Sequence, residues 1–190
     1  TMAGPAAAPV HIGNRNDPVF HGTYRIVNNT IISSSSCVFN FNDLDDSEVA
    51  NNLAITTWSG GHIFDINDMS GTSFRNNVYV YSGSDIANWG WSAYVNGHDS
   101  ASQKVAEPLL VDLLNDPRPR AGSPVIDHGV SLASLLTADI DGTPRPQGAA
   151  WDIGAYEYRA RRRLELLRLG DAWDWDLTPA TGTRQDLSDR

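Results

Sequence analysis

The chain has 190 residues, enough for one domain with a sizeable core, and a formal net charge of −9 at pH 7. Residues 159–190 hold seven Arg against six acids, about +1, so the rest carries about −10 (−9 minus +1); an acidic body of this kind disfavours nucleic acid, whose phosphates need clustered Lys and Arg. No run of about 18 apolar residues exists to span a membrane, and a single cysteine, Cys37, excludes an internal disulfide and reads as a small buried strand residue.

Residues 1–10 read as a flexible Ala/Pro lead without the charged start or apolar core of a signal peptide. The chain then repeats itself. Ile12-Gly13-Asn14-Arg15-Asn16-Asp17 is followed by Val38-Phe39-Asn40-Phe41-Asn42-Asp43 and by Ile63-Phe64-Asp65-Ile66-Asn67-Asp68, at steps of 26 (38 minus 12) and 25 (63 minus 38) residues. An interleaved phrase ends in Asn28 and Asn29, then Asn51 and Asn52, then Asn76 and Asn77, at steps of 23 and 25. Two short apolar phrases per period of about 25 residues, parted by Asn, Asp, Gly and Ser, fit the coils of a β-solenoid. A helical repeat would need apolar residues at i, i+3, i+4 and i+7, and these windows lack them.

With its β-branched and aromatic strands and its Asn pairs at bends, this stretch resembles the right-handed parallel β-helix proteins of pectate-lyase type. The resemblance implies that Asn28, Asn51 and Asn76, with their neighbours, stack from coil to coil. Strand alternation places Phe39, Phe41, Phe64 and Ile66 in the core and Asn40, Asn42, Asp65 and Asn67 in water. Adjacent coils lie about 4.8 Å apart, so Arg25 and Glu48 become neighbours and form a surface pair. A fourth copy, 25 residues after Ile63, falls on Asn88-Trp89-Gly90-Trp91-Ser92, with Trp89 and Trp91 on core positions, and reads as a degenerate last coil.

A strand-like phrase, Glu107-Pro108-Leu109-Leu110-Val111-Asp112, is followed by Ala121-Gly122-Ser123-Pro124-Val125-Ile126-Asp127-His128-Gly129, Asp139-Ile140-Asp141-Gly142-Thr143-Pro144-Arg145-Pro146 and Asp152-Ile153-Gly154-Ala155-Tyr156-Glu157. In that order and spacing the four are similar to the C-terminal region of bacterial β-helix proteins of the choice-of-anchor Q group. That resemblance implies an exported, surface-attached or secreted protein acting among carbohydrates. After Tyr158 the chain departs from the pattern: Arg159 to Gly170, rich in Leu and Arg, reads as a short helix, and the remainder to Arg190 as a disordered tail.

The expected architecture is therefore all-β: a right-handed parallel β-helix of three to four coils over residues 11–112, a C-terminal cap over 113–158, and a helix with a tail over 159–190. The chain reads as the C-terminal portion of an exported, extracellular or cell-surface protein. In the alignment as read, Asp17, Asp43 and Asp68 form one column and Asn14, Asn40 and Asp65 another. Asp43 and Asp68 are either turn residues whose carboxylates accept backbone N–H groups or ligands of a Ca²⁺ ion, which takes carboxylate and amide oxygens. The loop acids Asp43, Asp45, Asp46 and Glu48 lack the spacing of an EF-hand, and Asp139 with Asp141 before Gly142 reads as a tight turn. Lyases of the β-helix kind pair a basic residue with a cation beside a sugar carboxylate, for which Arg75 or His62 would be the base; a hydrolase would use paired carboxylates, for which Asp65 and Asp68 are candidates. Asn40, Asn42, Asp65 and Asn67, with Trp89 and Trp91 as stacking platforms, are the candidate contacts to a polysaccharide or cell-surface glycan. Two readings stand: a protein that binds or processes polysaccharide, and a non-catalytic structural or adhesive element.

Overall fold

A computed structural model of the protein describes residues 8–13 and 22–160. The chain divides into two units, Thr1–Tyr158 and Arg159–Arg190; the expected helix and tail belong to the second and, beyond Arg159 and Ala160, lie outside the described residues.

The first unit is a parallel β-solenoid of about three turns. Its first coil consists of β1 (Val10–Ile12), β2 (Arg25–Val27) and β3 (Thr30–Ser33). The second has β4 (Phe39–Phe41), β5 (Leu44–Asp45), β6 (Glu48–Ala50) and β7 (Leu53–Thr56). The third has β8 (Phe64–Ile66), β9 (Met69–Ser70), β10 (Ser73–Arg75) and β11 (Val78–Val80). A helix, α1 (Trp91–His98), precedes two short rungs, β12 (Asp99–Ser100) and β13 (Gln103–Lys104), and then a hairpin of β14 (Leu110–Asp112) and β15 (Asp116–Pro119). The rungs stack into sheets β1-β4-β8, β2-β6-β10-β12 and β3-β7-β11-β13, with β5-β9 between the first two, and every pairing between coils is parallel.

Alternation decides the interior. Phe39, Phe41, Phe64 and Ile66 are fully buried, and Phe39 stacks on Phe64 with ring centroids 5.4 Å apart. Val49, Phe74, Ala54 and Tyr79 join them in one cluster lined by all three large sheets. At each corner the first Asn of a pair takes the left-handed backbone: φ is 53° at Asn28, 54° at Asn51 and 49° at Asn76. The second Asn of each pair points along the axis and forms a ladder. The side chain of Asn29 donates to Asn52 Oδ1 (3.0 Å), that of Asn52 to Asn77 Oδ1 (3.0 Å), and that of Asn77 to Ser102 Oγ (3.3 Å). The ladder expected at the bends is therefore present in the second Asn of each pair, where it also satisfies the N–H groups of Asn29 and Asn52, and in the first row Asn51 Nδ2 donates to Asn28 Oδ1 at 3.2 Å.

The first coil stands in a different register from the one the repeated phrase suggests. Ile12 pairs with Phe41 and Val10 with Phe39, so His11, not Asn14, stands beside Asn40, and Val10 belongs to β1 rather than to the lead. Val10 and Ile12 are the residues that can continue the apolar column, and both pack against the core. Gly13 then meets the bend of coil two: its φ is 86°, and a Cβ there would sit 1.7 Å from Asn42 O. Asp17, the third acid of the expected column, lies outside the described residues.

The fourth coil also differs. Ala87, not Trp89, bridges Phe64, and Trp89 is 78% exposed instead of closing the core. Two left-handed residues, Trp89 (φ 39°) and Gly90 (φ 87°), turn the chain outward and start α1 where a strand was expected. The helix covers the end of coil three through Val95, Trp91 and Tyr94, and Tyr94 Oη accepts the Thr72 N–H at 3.1 Å.

The C-terminal region lies as a strap along the side of the coils. It begins earlier than residue 113, since β14 pairs antiparallel with β15. His128 O accepts the Asn76 amide (2.9 Å), Val130 O that of Asn51 (2.8 Å), and Asp152 O that of Asn28 (3.1 Å), so the strap touches the same corner of all three coils. Its apolar residues Leu110, Val125 and Ile153 cover the outward Leu53, Ile55 and Val78, while Leu132 and Trp151 pack on Ala50. Outward faces that are apolar on these two sheets demand such a cover.

Candidate functional site

The strap lies over the outward apolar residues of the two sheets through β6 and β7, and the outward residues of β1-β4-β8 are polar. On that face His11, Asn40 and Asp65 stand in register on successive coils, and the row continues to Asn88, whose side-chain amide donates to Asp65 Oδ1. Asn88 is held in turn, because its Oδ1 accepts the Ile66 N–H at 2.8 Å and its own N–H reaches Phe64 O at 3.1 Å. Trp89 follows directly at the end of the row, 78% exposed.

A second row runs beside the first at the bend. Asn42 Nδ2 donates to Asn40 Oδ1 (2.9 Å) and lies 3.0 Å from His11 Nε2, and the Asn67 amide donates to Asn42 Oδ1. Asn42 is 2% exposed, which corrects the expectation that it faces water: it braces His11, Asn40 and Asn67 from beneath. His11 and Asn88 enter the row without having been singled out from the sequence. The 23-residue step from Asp65 to Asn88 (88 minus 65), the same as from Asn28 to Asn51, was the available signal for the latter.

Of the candidate catalytic groups, His62 stands near enough to feel the charge of Asp65, whereas Arg75 is not brought to it. Arg75 lies in β10, on another sheet from Asp65, and its Nε donates to Glu48 Oε1 at 2.7 Å. Glu48 also stands 4.0 Å from Arg25 Nε, so the expected Arg25 and Glu48 pair is present with Arg75 as a third member. Asp68 is exposed beyond the bend that leaves β8, and its carbonyl accepts the Asp43 N–H at 3.1 Å. Asp43 takes a left-handed turn (φ 60°), and among the described residues no three His, Cys, Asp or Glu side chains converge as a metal site, so the calcium expected at Asp43 and Asp68 has no ligand cluster. Asp139 is a turn residue as expected, accepting the N–H groups of Asp141 (2.9 Å), Thr143 (2.7 Å) and Glu157 (2.9 Å).

His62 is half-buried with Nε2 enclosed and without a hydrogen-bond partner; burial lowers its pKa, while the negative charge of Asp65 opposes the shift. The Cys37 thiol is pushed up to about 11, first by burial and then by Asp65, with Ser36 acting the other way. It stays protonated near neutrality and is no nucleophile. Trp91 is a packing residue, half-buried with its ring 5.5 Å from that of Tyr94, so of the two tryptophans only Trp89 presents its ring to solvent.

Among the described residues no helix is long and apolar enough to cross a membrane. Compared with family models, curated proteins and solved structures, the chain matches none.

Proposed function

We propose that the protein binds polysaccharide along the β1-β4-β8 face and does so without cleaving it. The observation that carries this is the row His11, Asn40, Asp65 and Asn88, one polar side chain per coil, ending in the exposed Trp89. Amides, a carboxylate and an imidazole present donors and acceptors to sugar hydroxyls, and a flat indole offers an apolar surface to the face of a pyranose ring. The spacing of the row is that of stacked strands, about 4.8 Å, close to the length of one sugar in an extended chain. Binding rather than cleavage follows from the separation of Arg75 from Asp65 and its engagement with Glu48. The surroundings that suit such a protein are extracellular or at the cell surface, as the likeness of residues 107–157 to choice-of-anchor Q endings implies.

A second reading, a rigid spacer or adhesive element, is favoured by one fact: the amides of the face already bond to one another, as in Asn42 to Asn40 and Asn88 to Asp65. Titration calorimetry against a panel of neutral and acidic polysaccharides separates the two. Binding is expected for at least one, weakened about tenfold by Trp89→Ala, as loss of about 1.4 kcal/mol of stacking predicts. Wild-type protein that binds none of the panel, or Trp89→Ala protein that binds equally well, refutes the sugar reading. Release of reducing or unsaturated ends would refute its non-catalytic part.

A further inference from the structure

The apolar column on the inner side of β2-β6-β10-β12 ends in a carboxylate. Ile26, Val49, Phe74 and Asp99 occupy one position on successive coils, and the first three are core residues. Asp99 is the first residue of β12 and the C-terminal cap of α1, so the side chain that joins the helix to the last rung is an acid placed where every earlier coil holds a hydrocarbon. Facing it from β11 is Tyr79, 2% exposed and packed in the main core. Asp99 as a whole is half-buried, but its Oδ1 and Tyr79 Oη are both enclosed without a hydrogen-bond partner, and the two groups act on one another electrostatically together with Ser102.

Among the described residues the other titratable groups on the surrounding elements are Arg75 of β10, Tyr94 and His98 of α1 and Lys104 of β13, and all are turned elsewhere; Arg75 stands one residue beyond Phe74, on the opposite face of its strand, and is held by Glu48. His98 stacks on Tyr94 with ring centroids 4.0 Å apart and is exposed; Tyr94 Oη takes the Thr72 N–H; Lys104 Nζ lies 3.7 Å from the Tyr81 ring centroid and donates to Gly83 O at 3.1 Å. Tyr79 is thus the titratable side chain that meets the carboxyl. A neutral carboxyl can sit beside a phenol in an apolar setting at modest cost, whereas an ionised one without a cation cannot, and it gains by moving into water.

We propose that Asp99 is the latch of a pH-dependent end cover: protonated, it stays against the core beside Tyr79 and holds α1 and β12 on coil three; ionised, it draws them away. Burial raises its pKa, with Ser102, Tyr79 and the Ser100 N–H pulling it part of the way back. A carboxyl whose closed-state pKa exceeds its open-state value holds its proton more tightly when closed, so the cover is firmest at acid pH and loosens as pH rises through the raised value. Opening removes β12 and β13 from β10 and β11 and bares two strand edges, which can then pair with a strand from another chain. The latch stands whether or not the face of β1-β4-β8 binds sugar.

Hydrogen exchange on the full chain, read as protection factors so that the intrinsic pH dependence is removed, tests this. Protection of residues 91–104, taken relative to residues 49–56 of coil two, is expected to fall about tenfold between about pH 4, near the ordinary carboxylate value, and about pH 7.5. Asp99→Asn should keep the ratio high at both values. Tyr79→Phe, which keeps the ring and removes only the hydroxyl, should lower it at the acid end. A wild-type ratio that does not change with pH overturns the latch, as does an Asp99→Asn protein with the wild-type pH dependence. Should the Asn variant fail to fold, undiminished acid protection in Tyr79→Phe overturns it independently.

Discussion

Replacing Asn52 by Ala tests the corner ladder at its most enclosed rung. Asn52 is 0% exposed, and its side chain makes four bonds: Nδ2 donates to Ile26 O (2.7 Å) and Asn77 Oδ1 (3.0 Å), and Oδ1 accepts from the N–H and the side-chain amide of Asn29 (both 3.0 Å). In the Ala variant Asn77 Oδ1 keeps the Asn52 N–H at 2.9 Å, and exposed Asn29 can turn to water, but the two bonds that the buried Asn52 Nδ2 gives to Ile26 O and Asn77 Oδ1 are lost. Two buried bonds at about 1 kcal/mol each give a loss of about 2 kcal/mol. That is a substantial part of the roughly 5–15 kcal/mol typical of a domain. Urea denaturation followed by circular dichroism should show a midpoint lower by about 1 M if the slope is about 2 kcal/mol per M. Asn29→Ala, at the exposed end of the same ladder, should lose about 1 kcal/mol or less. If Asn52→Ala costs no more than Asn29→Ala, the ladder does not hold the coils together and the reasoning fails.

Three further outcomes follow from the strap and the core. Arg145 and Glu157 form an ion pair at 2.7 Å with side chains 1% and 0% exposed, and Arg145 also donates to the carbonyls of Asp152 (3.0 Å) and Gly154 (2.8 Å). Arg145→Met strands a buried carboxylate and should cost about 3–5 kcal/mol, while Arg145→Met with Glu157→Leu should cost less than the sum of the single changes in a double-mutant cycle of denaturation. Asp152 accepts the N–H groups of Asp127 and Tyr158, but burial pushes its pKa up to about 6, helped by the charges of Glu157 and Asp127. Its proton is held more tightly folded than unfolded, so its stabilising contribution is complete below the ordinary carboxylate pKa and is lost as pH rises to and through about 6; the loss amounts to about 2–3 kcal/mol, and Asp152→Asn should flatten that part of a stability–pH curve. The Cys37 thiol, buried and raised to about 11, should react with an aromatic disulfide at about pH 8 only as fast as the protein unfolds, and at once in urea; rapid reaction in the native state would refute its placement.

The row on the β1-β4-β8 face shows how far local pattern reached into the site. Asn40 and Asp65 were legible because they alternate with Phe39, Phe41, Phe64 and Ile66, and a two-residue alternation fixes which side chains leave the core. Asn42 obeys the same parity yet is buried, because the bend that follows β4 folds its amide back onto its neighbours. The first coil was read in another register because the repeated phrase was matched on its Asn and Asp residues, whereas Val10 and Ile12 are the side chains that continue the phenylalanine column and set His11 beside Asn40.

The period of about 25 residues, the parity of the apolar residues and the recurrent Asn pairs were enough by themselves to dictate coils, core and corners, since each coil repeats the same local chemistry against the same neighbour one strand spacing away. Tertiary structure alone decided that residues 110–158 run down the side of the coils, that Trp89 is thrown outward and α1 drawn over the end, and that Arg75 and Asp65 stand on different faces. Those outcomes depend on which outward faces are apolar and on a few left-handed residues that redirect the chain, and neither quantity is periodic along the sequence.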